Sequence, residues 1–317
     1  MQKIWDLNHE KSRINLVVCG SVYSMMTRIF RDNKEPLYNR QNRFMTIRAF
    51  QPSVLKEILA EYNPGYTKDD LLALYTFTGG VAKYVQLLVD DNALTLDRMI
   101  ESILSPDSVF VNEGRSILVE EFGKDYDTYF SILSAIAAGK TRRSEIESII
   151  ERPIGGYLTR LEDDYGIIVK QLPVGAKALS KNALYVIRDN FFTFWFRFVF
   201  KYAHILEIGG YEQLRALLKR DYPTFSGLTL ERYFRDKAIE SKRYTIIGRW
   251  WDRKGENEID MIAANEFDKK VEVFEIKRNR KNINLAELKE KVKSMTANMP
   301  IFNDYEITLH GLDMQDM

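Results

Sequence analysis

Three short apolar runs in the last third of the 317-residue chain limit its fold most strongly. Each run is rich in branched or aromatic residues and is bounded by turn-forming or charged residues, which is typical of β-strands. A helical pattern precedes them, and a second helix and a last strand follow. The predicted elements are a helix at 228–241, strands at 244–250, 258–263 and 271–277, a helix at 285–298 and a strand at 305–310. The chain therefore predicts an αβββαβ domain over residues 227–317.

Two of these predicted strands carry charged side chains at positions that face one another. Asp260 stands within an otherwise apolar strand, where an unpaired buried carboxylate is costly. In the next strand, alternation places Glu275 and Lys277 on one face, while Phe274 points to the other. A short hairpin joins the two strands, so Asp260 can reach the face of Glu275. The sequence predicts that two carboxylates and an amine converge.

This combination of groups suits metal-dependent cleavage of a phosphodiester. Mg²⁺ or Mn²⁺ takes oxygen ligands and lowers the pKa of a bound water, while an ammonium can orient that water and offset phosphate charge. We interpret Asp260 and Glu275 as the metal ligands and Lys277 as the group that orients the water. A structural interpretation stays open, because alternating charge is also common on a half-exposed sheet.

The spacing of these residues resembles a known signature. Asp260 followed by Glu275-Ile276-Lys277 is similar to the D…(D/E)XK pattern of the PD-(D/E)XK, or restriction-endonuclease-like, superfamily. Glu231 is similar in position to the acidic residue that such domains often carry on their first helix. The resemblance implies a nuclease-type domain with Glu231, Asp260, Glu275 and Lys277 as catalytic residues.

The middle of the chain, residues 123–205, has the pattern of a winged helix-turn-helix. Helices are predicted at 129–138, 144–150 and 156–163 and strands at 167–170 and 183–187. The aromatic run at 191–200 is too short and too charged to span a bilayer, so we interpret it as a domain-docking helix. Residues 206–226 are predicted to link the winged helix to the last domain, with a boundary at Pro223 and Gly227.

Basic and aromatic side chains in both regions are candidates for nucleic-acid contact. They lie on the predicted second and third helices, on the wing, and in a short basic run after the third strand of the C-terminal domain. They are Arg142, Arg143, Tyr157, Arg160, Lys177, Arg278, Arg280 and Lys281. Acidic residues crowd the winged-helix region, so protein docking is an equal alternative to DNA contact there. For the basic run, a solvated loop is an equal alternative. DNA is the partner that we expect.

The whole arrangement resembles archaeal-type ATPases of the AAA+/STAND group, which carry a winged helix and a C-terminal nuclease-like domain. The run 16–21 looks like a strand ending in a polar sensor residue, 36–40 like the PLYGR segment, and 79–84 like the GGxPxY lid. The resemblance implies that Ser21 and Arg40 are remnants of a nucleotide site.

Two residues depart from these motifs, and one motif is missing. Asn39 replaces the glycine of PLYGR and Ala82 replaces the proline of GGxPxY. No glycine-rich loop that could cradle phosphates precedes Ser21, and Gly139-Lys140-Thr141 only imitates the end of such a loop. We therefore expect residues 1–122 to be a truncated AAA+ remnant with a helical lid. ATP is expected only in a full-length form, and ATP hydrolysis by this chain is not expected.

Composition excludes several other classes of protein. A formal net charge of +1 does not fit a dedicated histone-like binder, so a nucleic-acid surface must be local. Cys19 is the single cysteine, which rules out a disulfide framework, and its apolar neighbours predict that it is buried. The sequence has no signal peptide and no apolar run of membrane-spanning length, so we expect a cytoplasmic protein without a membrane partner.

These patterns predict a multidomain α/β and α+β protein with a truncated AAA+-like helical segment, a winged helix and a restriction-endonuclease-like domain. A metal-dependent DNA endonuclease is the leading functional hypothesis. The alternative is a regulatory protein of the ATP-binding family whose nuclease-like domain only binds nucleic acid or a protein partner. A homo-oligomer and a missing N-terminal ATPase part both stay open as partners.

Overall fold

The computed structural model describes residues 2–20, 26 and 29–317, and in that part the chain is a mixed α/β protein with a two-stranded and a four-stranded sheet. The helices before the first sheet include α1 (Gln2–Asn8), α2 (Pro52–Tyr62), α3 (Lys68–Thr78), α4 (Ala82–Asp90), α5 (Leu96–Ile103), α6 (Val109–Phe122), α7 (Tyr126–Ala137), α8 (Arg143–Ile150) and α9 (Gly155–Thr159). Strands β1 (Ile168–Gln171) and β2 (Leu184–Ile187), and helices α10 (Asn190–Phe194), α11 (Ala203–Glu207) and α12 (Tyr211–Ser241), come next. The chain then forms β3 (Ile246–Trp251), β4 (Glu258–Asn265), β5 (Lys270–Ile276), α13 (Leu285–Asn298) and β6 (Glu306–Leu312). Among the described residues, no helix is both long and apolar enough to cross a membrane.

Helix α3 is the centre of the N-terminal helical part. It begins with a capping box in which Thr67 and Asp70 bond each other's backbone N–H, and it ends at Gly79 in the left-handed conformation. Every residue from Asp70 to Thr78 is buried. From Asp70 onward the helix is buried on all sides, as expected for a helix that other helices surround.

The predicted strand at 16–19 is wrong. Residues 12–19 have no regular secondary structure, and Leu16, Val17 and Val18 are 46%, 80% and 42% exposed. Cys19 is also exposed, against the prediction that it is buried. A β-strand needs a neighbour to satisfy its backbone groups, and no described residue pairs with this segment. Ser21 lies outside the described residues.

Asn39 and Ala82, the two residues that depart from the family motifs, lie at backbone positions that would also suit the glycine and the proline of those motifs. Asn39 has φ 55°, a left-handed conformation that glycine favours and asparagine tolerates. Ala82 is the first residue of α4, the position where proline is most favoured in a helix. Between them, Gly80 has φ 76° and its carbonyl accepts a hydrogen bond from Phe50 N at 2.7 Å.

The middle region has the predicted three helices followed by an antiparallel hairpin. Helices α7 to α9 precede β1 and β2, which pair from Ile168 opposite Ile187 to Gln171 opposite Leu184. The aromatic segment after them continues α10 as a π-helical stretch, Trp195–Phe200. The Phe194 ring lies 4.9 Å from that of Phe77 in α3, and Trp195 Nε1 donates to Val111 O of α6 at 3.0 Å. The segment therefore docks the middle region on the N-terminal helices, as predicted.

The prediction that a helix starts anew after Pro223 and Gly227 is wrong. Helix α12 is continuous over 31 residues and contains Pro223. A proline inside a helix costs about 3 kcal/mol because it removes one backbone hydrogen bond and crowds the preceding turn. Buried contacts on both sides of it, at Leu218, Tyr222 and Ser226, offset that cost.

The four-stranded sheet has the order β3-β4-β5-β6, with β5 and β6 parallel and the other pairs antiparallel. The predicted order of elements is confirmed. Helix α13 connects the two parallel strands, as a parallel pair requires. One face of the sheet contributes Met261, Ala263, Phe274 and Ile276 to the main core with α12, and the other contributes Ile262, Val271 and Val273 to a smaller core with α13. Asp260 of β4 and Glu275 of β5 lie at the same end of this sheet.

Candidate functional site

Asp260, Glu275 and Lys277 converge at the end of the β4–β5 pair. Regular pairing ends with Met261 opposite Phe274, and one step further Asp260 stands opposite Glu275. The Lys277 Nζ donates to Asp260 Oδ2 at 2.9 Å and lies 3.8 Å from Glu275 Oε1. Alternation along the strands explains this placement, because side chains opposite each other in an antiparallel pair share a face.

The backbone fixes both carboxylates. Ile276 N donates to Asp260 Oδ2 at 2.8 Å, so this N–H serves the side chain. Asn284 N donates to Glu275 Oε2 at 3.0 Å. Asn284 is the N-cap of α13, so the Glu275 carboxylate lies at the positive end of a helix dipole. Both acids are nearly buried, with 9% and 5% exposure.

Glu231 approaches the same end of the sheet from α12. Its Oε2 lies 3.5 Å from Arg235 Nη1 and 3.5 Å from Arg249 Nη2, distances that allow charge attraction but exceed an ordinary hydrogen bond. This oxygen is buried without a hydrogen-bond partner in the described part of the chain. Arg235 also donates to the Asp260 carbonyl at 3.0 Å, so the arginine connects the two acids.

Burial and charge shift the pKa values of this cluster in different directions. Burial raises the pKa of Glu231, and the nearby Asp260 charge adds to the rise, while Arg249 and Arg235 oppose it. Burial lowers the pKa of Arg235 to about 10, although Glu231 opposes the change. Burial also disfavours the charged form of Lys277. The hydrogen bond to Asp260 and the charges of the three acids outweigh burial and raise the pKa of Lys277.

A shallow depression of about 280 Å³ opens beside the cluster. Glu231 and Lys277 line it together with Gly227 of α12 and Asn282 of the loop after β5. The depression therefore opens Lys277 and Glu231 to a phosphate group from solvent.

The predicted nucleic-acid residues of the C-terminal domain differ in their availability. Arg278 donates to Ser226 Oγ at 2.7 Å and to Asp69 Oδ1 at 2.6 Å, and its guanidinium lies over the Tyr222 ring. Arg280 is two-thirds exposed and pairs with acids near the end of the chain, Asp313 and Asp316. The Lys281 side chain is exposed and makes no ion pair within the described residues.

The predicted nucleic-acid residues of the middle region also differ in whether other residues of the chain contact them. Arg142 donates to Asn182 Oδ1 at 3.1 Å, and Arg143 pairs with Glu147 at 2.8 Å one turn along α8. Tyr157 packs edge-on against the Tyr129 ring at 5.2 Å. Arg160, at the end of α9, and Lys177, in the β1–β2 loop, are exposed.

Arg40, the second nucleotide-site residue inferred from the resemblance, is paired within the chain. Its Nε donates to Asp6 Oδ1 at 2.7 Å and its Nη2 donates to Asp6 Oδ2 at 3.0 Å. This two-point contact raises the pKa of Arg40 and lowers that of Asp6, in each case mainly through the hydrogen bond between them.

Two site residues, Arg235 and Arg249, did not emerge from the sequence. Arg235 lies one helical turn after Glu231, so the (i, i+4) spacing could have indicated it. Arg249 reaches Glu231 from β3, and it also pairs with Glu258 at 3.4 Å. No local pattern in the sequence signals the contact between Arg249 and Glu231.

Comparison with known proteins places the site within a recurring segment. Residues 195–292, which include Glu231, Asp260, Glu275 and Lys277, match DUF234, described as archaeal and bacterial proteins of unknown function. An uncharacterised protein of Methanocaldococcus jannaschii is 30% identical over 286 residues, which are 87% of this chain and 62% of that protein. The chain thus spans about three fifths of the length of that relative. No solved structure matches the chain.

Proposed function

We propose that the chain is a metal-dependent DNA nuclease of the PD-(D/E)XK type, acting at Asp260, Glu275 and Lys277 with help from Glu231. One observation carries the proposal: the Lys277 ammonium lies within 4 Å of carboxylate oxygens of both Asp260 and Glu275, at the edge of an open depression. Clustered titratable groups beside a cleft are typical of functional sites.

The donor atoms fit a magnesium or manganese ion. Mg²⁺ is usually held by one or two carboxylates, with waters and substrate phosphates completing its coordination. Asp260 and Glu275 would hold the ion, and Oε2 of Glu231, which accepts no hydrogen bond from the described residues, is the further oxygen nearby. When bound, the ion would lower the pKa of a coordinated water and offset the charge of the phosphate.

The residues of the chain do the positioning. Lys277, kept charged by its raised pKa, can orient a water and attract a phosphate oxygen at the mouth of the depression. The hydrogen bonds from Ile276 N and Asn284 N hold the carboxylates of Asp260 and Glu275 in place before substrate arrives. Such pre-organisation reduces the reorganisation that the reaction needs.

Nucleic-acid binding without cleavage is a second candidate function, and one observation favours it. Across residues 2–20, 26 and 29–317, no three His, Cys, Asp or Glu side chains are grouped so that they could hold a metal ion. If the site binds no metal ion, the acids and Lys277 would stabilise the end of the sheet, and a bound nucleic acid would remain intact.

Plasmid nicking tests the proposal. Supercoiled DNA is incubated with Mg²⁺ or Mn²⁺ and the wild type, Asp260→Asn, Glu275→Gln or the control Glu272→Gln. Glu272 is a matched control because it lies on the same strand but faces Tyr244, whose hydroxyl donates to it at 2.9 Å. We expect Asp260→Asn and Glu275→Gln to lose activity by on the order of 100-fold or more, and Glu272→Gln to retain it.

Two outcomes contradict the proposal. Equal nicking by all four proteins would assign the activity to a contaminating nuclease. A wild type that cleaves neither supercoiled, linear nor single-stranded DNA, yet shifts DNA on a gel in Ca²⁺, would support binding without cleavage.

A further inference from the structure

We propose that the β3–β4 turn and the β1–β2 loop form one basic surface that binds the phosphate backbone of duplex DNA. The surface consists of Arg253 and Lys254 in the turn and Lys177 and Lys181 in the loop. The proposal rests on the proposed function in taking DNA as the ligand, but it concerns binding and does not require cleavage.

Hydrogen bonds hold the loop against the turn. The Asn182 Oδ1 accepts a hydrogen bond from Trp251 Nε1 at 3.1 Å, and the Asn182 amide nitrogen donates to the carbonyls of Trp251 and Asp252, each at 3.5 Å. Val174 N donates to Arg249 O at 2.9 Å and adds a backbone contact to the outer strand β3. Lys181 and Arg253 each lie one residue from these contacts, so the backbones that carry these two cations are close together.

Arg142, the N-cap residue of α8, strengthens the same junction. Its Nη1 donates to Asn182 Oδ1 at 3.1 Å, and a Cβ at Gly255 would lie 3.1 Å from its Nη2. The predicted DNA contact Arg142 therefore packs between the loop and the turn, where it adds positive charge and fixes their relative position.

The four cations are available to a ligand. Arg253, Lys254, Lys177 and Lys181 are exposed, and none of their side chains forms an ion pair within the part of the chain that the structure describes. Long basic side chains that are free of acidic partners are suited to neutralising phosphates.

The acids of the turn offset only part of this charge. Asp252 faces inward, where its carboxylate accepts hydrogen bonds from the backbone N–H of Gly255 at 2.6 Å and of Glu256 at 3.0 Å and from the side chain of Asn257 at 2.7 Å. Glu256 is the exposed acid of the turn. The exposed cations therefore outnumber the exposed acids on this surface.

The position of the surface connects it with the candidate site. The turn joins the end of β3 to the start of β4, and Asp260 is the third residue of β4. Glu275 lies near the end of β5 and Lys277 follows the strand; β5 is antiparallel to β4 and therefore ends where β4 begins. A DNA backbone that follows the cations of the turn would approach the edge where the depression opens.

Duplex DNA fits these features better than a small anion or an acidic protein. The cations are spread over two loops and do not surround a pocket, as expected for contacts with successive phosphates. The surface offers exposed point charges without a large apolar centre, whereas protein interfaces usually have an apolar core.

Binding of a 30-base-pair duplex at several salt concentrations tests the proposal, with EDTA present so that no cleavage occurs. The variants are Arg253→Gln/Lys254→Gln and Lys177→Gln/Lys181→Gln. The control is Lys269→Gln/Lys270→Gln, an adjacent basic pair at the β4–β5 turn, at the opposite end of the same sheet. These side chains are exposed, so the substitutions leave the fold intact, which circular dichroism checks.

We expect each test variant to bind the duplex on the order of tenfold more weakly at 0.1 M salt. The slope of log K against log salt should also become shallower by about 2, because each of the two lost phosphate contacts removes about 0.9 from it. The control should keep the wild-type affinity and slope. Wild-type values in both test variants, or a wild type that does not bind the duplex even at low salt, would overturn the proposal. Weakened binding by the test variants together with an inactive wild type would support this surface while rejecting the proposed cleavage.

Discussion

Arg278 donates to Asp69 Oδ1 at 2.6 Å, although the two residues are 209 positions apart in the chain. The same guanidinium donates to Ser226 Oγ and lies 5.4 Å from the centre of the Tyr222 ring. Arg278 therefore joins the end of the four-stranded sheet to α12 and to the N-terminal helices. Its charge is already matched by an acid within the chain.

This contact predicts that Arg278 stabilises the fold and contributes little to DNA binding. Arg278→Met should lower the free energy of unfolding by about 1 to 3 kcal/mol, because it removes charge-assisted hydrogen bonds from a partly buried site. Denaturant unfolding measures this change. Arg280→Met is the control, since the Arg280 side chain is two-thirds exposed and its ion pairs should contribute less than about 1 kcal/mol. A large loss of DNA affinity in Arg278→Met without loss of stability would contradict this role.

Lys277 is predicted to compete with a divalent cation for the same carboxylates. Its Nζ lies 2.9 Å from Asp260 and 3.8 Å from Glu275, so Lys277→Met removes a positive charge from the ligand shell. We expect Mn²⁺ to bind on the order of fivefold more tightly, corresponding to about 1 kcal/mol for one nearby charge, while nicking falls by on the order of 100-fold. Calorimetric titration with Mn²⁺ measures the affinity. Weaker Mn²⁺ binding would show that Lys277 supports the metal site instead, and Lys289→Met, on the exposed side of α13, is the control.

Asp260→Asn should separate DNA binding from cleavage. The substitution removes one negative charge from the edge of the depression and keeps an oxygen that can accept from Ile276 N. We therefore expect DNA affinity in Ca²⁺ to remain unchanged or to rise by a few-fold, because repulsion of the phosphate is relieved. A gel-shift titration at fixed salt measures the affinity, with Glu272→Gln as the control. A loss of DNA affinity specific to Asp260→Asn would mean that the acid is needed to build the binding surface.

Gly80 is predicted to tolerate no side chain. Its φ of 76° alone should cost a substituted alanine about 1 to 2 kcal/mol. A Cβ there would also lie 2.5 Å from the Phe50 carbonyl oxygen, a clash that adds about 1 to 3 kcal/mol. Gly139→Ala is the matched control, because Gly139 has φ 92° but nothing within 4 Å of its Cβ position. If denaturant unfolding gives equal losses for both variants, the contact with Phe50 does not matter.

Asp252 should stabilise its turn in a pH-dependent way. Partial burial acts to raise its pKa, but hydrogen bonds from Asn257 and from the backbone of Gly255 and Glu256 outweigh burial and lower the pKa of Asp252. A lowered folded-state pKa means that the stabilisation is present above the unfolded value, about 3.9, and is lost as pH falls through the folded value.

Asp252→Asn should therefore destabilise the protein by about 1 kcal/mol at pH 7, with the difference from wild type shrinking below about pH 4. Thermal unfolding at pH 7 and at a pH below about 4 measures the difference in stability between the two proteins. Asp268→Asn, in the turn at the other end of the sheet, should change little at either pH. A difference that is constant with pH would exclude the ionised carboxylate as its source.

Local patterns predicted the elements around the candidate site well. The αβββαβ order, the helix at 285–298 and the shared face of Asp260, Glu275 and Lys277 all follow from periodicity, capping and strand alternation. These signals act over a few residues, so a sequence carries them in full. For the same reason the middle region was predicted as three helices and a hairpin.

The tertiary structure decided the features that depend on distant partners. Pro223 looked like a boundary, but buried contacts at Leu218, Tyr222 and Ser226 keep α12 continuous. The apolar run at 16–19 looked like a buried strand, yet none of the described residues pairs with it.

The sequence by itself determined which charged groups stand together on β4 and β5, because neighbouring strands and their alternation are local properties. Only the tertiary structure decided which basic side chains form ion pairs within the chain and which stay exposed. Arg278 is matched by Asp69 and Arg249 by Glu231, while Arg253 and Lys181 stay exposed. A charge is neutralised by whatever acid folding brings within a few ångströms, and that distance depends on the path of the whole chain.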